Sequence, residues 1–207
     1  MKYNKNGRKK INAFDRQSLR KRKIFLIFLF PAVAFLLYAA YINEEPEEPD
    51  YQAAGIPEEY VPIYKAAGEK YGVPWPLLAA HHRVETIFST MDPMVSPVGA
   101  EGHMQFMPCT FVGWSHPTCG GLGQGKISQD DKTNPEIIKK YGGYGIDANG
   151  DGKADPFDIE DAIFSAANYL AKNGAANGDI RRAVFAYNRS ERYVEDVLYY
   201  YEQYKQY

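Results

Sequence analysis

No Cys-x-x-Cys pair occurs in this chain, and only two cysteines do, Cys109 and Cys119. That poverty argues against the common structural zinc frameworks. The His-Glu-x-x-His order of zinc proteases is missing too, although His81 and Glu85 could share one helical face. Nowhere do apolar and polar residues alternate for long enough to suggest a sheet, and no internal repeat is visible. Positive charge is scarce beyond the N-terminus. Ten Lys or Arg against Asp15 leave +9 on residues 1–42, and so −11 on residues 43–207 of the total −2. An acidic body lacks the electrostatic footprint of nucleic-acid binding. Charge would not draw it to an anionic polymer either, so any grip there must come from hydrogen bonds and aromatic faces. The chain's seventeen tyrosines, fourteen of them within residues 43–207, supply both.

One long hydrophobic run is present. Residues 24–42 hold no charge and follow the basic segment 1–23 directly. A membrane-spanning helix needs about 20 mostly apolar residues, and Pro31 is tolerable within one. The positive-inside rule keeps the basic flank in the cytoplasm. A cleaved signal peptide has a shorter apolar region of about 7–15 residues and a small-residue cleavage site. Tyr38-Ala39-Ala40-Tyr41 matches such a site poorly. The expected plan is a cytoplasmic segment 1–23, a single-pass anchor 24–42, an acidic spacer 43–58 containing Glu-Glu-Pro-Glu-Glu-Pro, and an outward-facing folded domain 59–207. Outside a membrane, the default for Cys109 and Cys119 is a disulfide, with two free buried thiols as the alternative.

The folded part reads as mainly α. Apolar spacing predicts helices over 60–71, stopped by Gly72, and over 76–88, with Leu77, Ala80, Val84 and Phe88 as the buried stripe. Glu85 falls one position past that stripe, at a helix edge. A short helix is expected within 104–114, and residues 115–156 read as mostly irregular. Asp158 caps a predicted helix 159–172, Asp179 another through about Tyr187, and Ser190 starts the last.

Glu85 is followed by Ser96-Pro97-Val98-Gly99-Ala100-Glu101-Gly102 and then His103-Met104-Gln105-Phe106-Met107-Pro108. Far along the chain comes Ala186-Tyr187-Asn188-Arg189. Together these resemble the lytic transglycosylase, or goose-type lysozyme-like, family over roughly residues 59–203. The resemblance implies a lysozyme-like domain that cuts the bond between N-acetylmuramic acid and N-acetylglucosamine in peptidoglycan. It implies Glu85 as the single acid and base, with 1,6-anhydro ends as product and no cofactor for catalysis. It places Ser96, Gln105, Tyr187 and Asn188 against the substrate, with Tyr187 hydrogen-bonding or orienting the carboxylate. The pattern departs at Thr86, where the family has Ser, and at His103, where it has an apolar residue. His103 could thereby alter substrate contacts. Implied partners are peptidoglycan glycan strands, the bacterial cell membrane through the N-terminal helix, and cell-envelope secretion or conjugation machinery, which some members serve. Hydrolysis on the same fold, and a non-catalytic glycan-binding or scaffold role, stay open.

Without that resemblance, Glu85 reads as a solvated helix residue; with it, burial beside apolar neighbours should raise its pKa. A second feature stands apart. Asp147, Asn149, Asp151, Asp155 and Asp158 occupy positions 1, 3, 5, 9 and 12 of a loop with Gly152 at position 6 and the Lys153 carbonyl at position 7. That is calcium-loop spacing, with Asp in place of the usual Glu at position 12. A structural Ca2+ is expected there, against the alternative of an ion-free turn in which Asp158 serves only as a helix cap.

Overall fold

The computed structural model describes residues 55–207. The basic segment 1–23, the anchor 24–42 and most of the spacer 43–58 lie outside the described residues. Among the described residues, no helix is long and apolar enough to cross a membrane.

A 3-10 turn, Glu58–Tyr60, leads into α1, Val61–Tyr71, which ends at Gly72 in the left-handed conformation (φ 68°). The next helix, α2, runs Trp75–Thr86 with Pro76 in its first turn. Its burial differs from the single expected stripe. Leu77, Leu78, Ala79, Ala80, His81 and His82 are all fully buried, so α2 is a central helix enclosed on nearly every side. It packs most extensively on the last helix and also on α1. Full burial of a leucine is worth about 1.5–3 kcal/mol, so Leu77 and Leu78 anchor it strongly.

The helix stops two residues before the expected end. Ile87, Phe88 and Ser89 have φ of 49°, 55° and 67°. Left-handed backbone costs a non-glycine residue about 1–3 kcal/mol where it persists, so surrounding bonds must hold it. Thr86 Oγ1 supplies two of them, accepting from the Ser89 N–H at 3.1 Å and donating to the His103 carbonyl at 2.8 Å. The chain thus turns sharply away at Ile87, two residues after Glu85.

The expected helix within 104–114 shrinks to α3, Pro108–Val112. Two helices appear in the region read as irregular. α4, Gln129–Thr133, is capped by Ser128, and α5, Pro135–Tyr141, is capped by Asn134. α6 is Ile159–Lys172, with Asp158 accepting from the N–H groups of Glu160 and Asp161 as predicted. α7, Ile180–Tyr187, and α8, Glu191–Tyr204, follow Asp179 and Ser190 caps. Among the described residues, pairing of strand type is limited to isolated bridges of Glu101 with Val95 and Phe106. The mainly α reading holds for the described residues.

Cys109 and Cys119 form a disulfide with Cα atoms 5.6 Å apart. It closes a loop running from α3 towards the segment that follows it.

Candidate active site

Glu85 sits at the end of α2, where α7, α8 and the loop 94–107 come together. It lines a cleft of about 740 Å³ that also takes in Ser96, Gln105, Tyr187 and Asn188. The structure therefore brings together the five residues expected at the site.

Glu85 is half-buried, and the loss of water around its carboxyl pushes its pKa up to about 8. A hydrogen bond from the Tyr193 hydroxyl to Oε1, at 2.5 Å, opposes part of that rise by stabilising the ionised form. Tyr193 in turn meets Nδ1 of the buried His81 at 2.9 Å. With the tyrosine proton directed at Glu85, His81 must donate from Nδ1. Its Nε2 is then left buried with no hydrogen-bond partner. Burial holds the His81 pKa down at about 3, so the ring is neutral throughout the working range. The order His81 → Tyr193 → Glu85 Oε1 leaves Oε2 as the oxygen able to carry a proton.

Tyr187 takes a different part from the one expected. Its hydroxyl donates to the Met104 carbonyl at 2.8 Å rather than to Glu85. Its ring packs against His81, Phe106 and Tyr169, with centroids 5.0, 5.4 and 5.0 Å away. Tyr187 therefore fixes the Met-Gln-Phe segment and walls the carboxyl, while Tyr193 makes the direct bond. Sequence reading missed Tyr193 because it lies in a tyrosine-rich helix where no spacing distinguishes it. The sign available was only that it follows the Tyr-Asn pair by a few residues.

Gln105 adopts φ of 50°, and its side-chain amide donates to the Gly102 carbonyl at 2.8 Å and to Met94 at 3.4 Å. Both donors staple the loop, so Oε1 is the atom left to accept from a ligand. Ser96 Oγ accepts from the Ala100 N–H, shaping the turn. Asn188 is exposed at the edge of the cleft. Glu101 points away from the chemistry, paired with Lys132 at 2.5 Å.

His103 does not line the cleft. Its Nε2 meets the Phe157 carbonyl at 2.9 Å, so its Nδ1 accepts from Ser89 Oγ at 2.7 Å. Ser89 accepts from His82 Nε2 at 2.7 Å, and His82 Nδ1 accepts from the Tyr64 hydroxyl at 2.6 Å. This directed chain ties α1, the end of α2 and the loop before α6 together behind the site. Gly102 allows the approach: a Cβ there would stand 1.8 Å from the Pro156 carbonyl oxygen.

In residues 147–158 the side-chain oxygens face the loop's own backbone. Asp147 accepts from Gly150 and Gly152, Asn149 from Asp151, Asp151 from Lys153, and Asp155 from Phe157. The buried Asp161 gathers the N–H groups of Ala148 at 2.7 Å and Asp155 at 2.8 Å. Among the described residues, no group of three or more His, Cys, Asp or Glu is placed to hold a metal ion. The helix before the loop, α5, ends at Tyr141, so no helix enters it directly.

A family described as "Transglycosylase SLT domain" matches residues 137–184. The match supports the lytic transglycosylase family. It covers the loop 147–158, α6 and part of α7, and it does not reach Glu85. No curated protein matches the chain. No solved structure matches it either.

Proposed function

We propose that this chain is a peptidoglycan lytic transglycosylase in which Glu85 acts alone as acid and then base. The observation that carries the reading is that Glu85 is the one carboxylate among the described residues lining the cleft, with its pKa pushed up to about 8. At neutral pH most of it is protonated, as a general acid requires. A cleft with one carboxyl suits a reaction that needs no second carboxylate as nucleophile or water-activating base.

In the first step the Oε2 proton passes to the glycosidic oxygen, and the bond from C1 of N-acetylmuramic acid to that oxygen breaks. The substrate's own N-acetyl carbonyl oxygen shields the positive charge at C1. In the second step the Glu85 carboxylate takes the proton of the C6 hydroxyl as O6 bonds to C1. The products are a 1,6-anhydro end and a new hydroxyl on the leaving sugar, with Glu85 protonated again and no water used. Tyr193 steadies the carboxylate between the steps. Phe106, Tyr169 and Tyr187 give the cleft aromatic walls.

Digestion of purified wall followed by mass spectrometry tests this. Anhydro ends are expected, and Glu85→Gln should lower the rate by roughly 10²–10⁴-fold, the range for a general acid. Reducing ends would mean hydrolysis, and undiminished cutting by Glu85→Gln would sink the scheme.

The same proposal puts the enzyme at a bacterial cell membrane, anchored through residues 24–42 with its catalytic domain outside. Calcium at residues 147–158 is a separate proposal. The loop spacing and Gly152 at φ 90° support it, and the side-chain placement does not. A rise in melting temperature with millimolar calcium, abolished by Asp147→Asn, is the expected result. No shift would overturn it.

A further inference from the structure

We propose that the disulfide-held loop 113–124 forms a second sugar subsite, with Trp114 as its stacking surface. It would take an N-acetylhexosamine ring of the strand, outside the bond that Glu85 cuts. The idea rests on reading the cleft as a glycan cleft.

Three large apolar side chains are exposed on the same cleft that holds Glu85. Trp114 is 53% exposed, Val98 54% and Leu122 75%. Apolar side chains gathered at a cleft mark a binding surface more often than scattered ones do. Folding gains little from leaving an indole in water, since covering its large apolar surface is favourable.

Trp114 is also backed by its own loop. The outer edge of the indole lies 3.2–3.3 Å from where a Cβ on Gly123 would stand, so any larger residue at 123 would crowd the ring. The loop is held on several sides. Cys109 is bonded to Cys119, the Cys109 N–H donates to the Gly123 carbonyl at 2.8 Å, and Thr118 Oγ1 accepts from the Lys126 N–H at 3.1 Å. Gln124 donates to the Val98 carbonyl at 2.8 Å and packs against Gly99, coupling the loop to the turn beside Glu85. A surface already fixed this way loses little entropy when it binds.

Charge selects the ligand class. Of the described residues lining the cleft, only Glu85 and Arg189 are charged, although residues 43–207 are acidic as a whole. A neutral sugar suits the Trp114 end. The C–H face of a pyranose ring lies flat on the electron-rich face of an aromatic ring, and the N-acetyl methyl can cover an aliphatic neighbour such as Leu122.

The test uses the full chain in detergent with Glu85→Gln, so that binding is read without turnover. Chitohexaose is the probe, because it carries N-acetylhexosamine rings and no peptide. Titration should change the indole fluorescence, and Trp114→Ala should weaken binding about tenfold, in line with the loss of aromatic stacking and covered area. Trp114→Tyr should restore most of the affinity. Cys109→Ser with Cys119→Ser should weaken binding by freeing the loop. Melting curves confirm that each variant is folded. Unchanged affinity in folded Trp114→Ala would overturn the subsite. So would dependence on Trp114 seen only with peptide-bearing strands, which would assign the surface to the stem peptide. Wall cutting that survives Glu85→Gln would instead strike the catalytic reading, leaving this binding result to stand or fall by itself.

Discussion

Glu85, Tyr193 and His81 show what a few atoms decide at the residue scale. The raised pKa of Glu85 makes pH the most direct probe. Activity should fall as pH rises through about 8, where the acid form is lost. Its effect on stability has the same direction. Folding raises this pKa from about 4.5 to about 8, so between those values the native state binds more protons than the unfolded chain, and stability declines as pH increases. Glu85→Gln should therefore flatten the melting temperature over that range. His81 and His82 act at the other end. Burial lowers both from 6.5 to about 3, so stability is lost as pH falls below 6.5 and the unfolded chain takes up protons that the native one does not. Tyr193→Phe removes a bond that favours the ionised carboxyl, so the basic limb of the pH–rate profile should move upward. His81→Leu should move it the same way, because the donor behind Tyr193 is gone, whereas His81→Asn keeps a donor near Nδ1 and should restore the profile. A purely structural role for His81 would change melting without moving that limb.

At the scale of elements, caps and loops were unevenly legible. Asp158, Asp179 and Ser190 cap helices where their sequence context says they should. Ser128 and Asn134 carry the same signal, but the helices they start have only five and seven residues, too short for apolar periodicity to stand out. The end of α2 departs from its apolar spacing for another reason. Phe88 continues the helical spacing and is buried, yet it reaches the core through left-handed backbone held by Thr86 and Ser89. Asp161 was invisible as an organiser because its partners, Ala148 and Asp155, are backbone groups in a separate loop. Asp161→Ala should cost about 2–4 kcal/mol by leaving those N–H groups unpaired. Chemical denaturation would measure it, and a loss under 1 kcal/mol, roughly that of a surface change, would show that the loop is held otherwise.

For the whole molecule, the acidic folded part and the basic, apolar N-terminal stretch call for different experiments. The full chain should sediment with membranes and resist carbonate extraction, while added protease on intact cells stripped of wall should cut residues beyond 42. Release of the full chain by high salt alone would contradict the anchor.

The amino-acid order determined the helical class, most of the long helices and, through the segments at Glu85, 96–108 and 186–189, five of the residues that line the cleft: Glu85, Ser96, Gln105, Tyr187 and Asn188. Those signals are local: periodicity, capping and short motifs need no knowledge of what lies opposite. Tertiary structure alone decided which tyrosine bonds Glu85, that His103 braces the site from behind, and that Trp114 shares the cleft. Each of those depends on residues dozens to more than a hundred positions apart, placed by core packing around α2, and no local pattern encodes such a meeting.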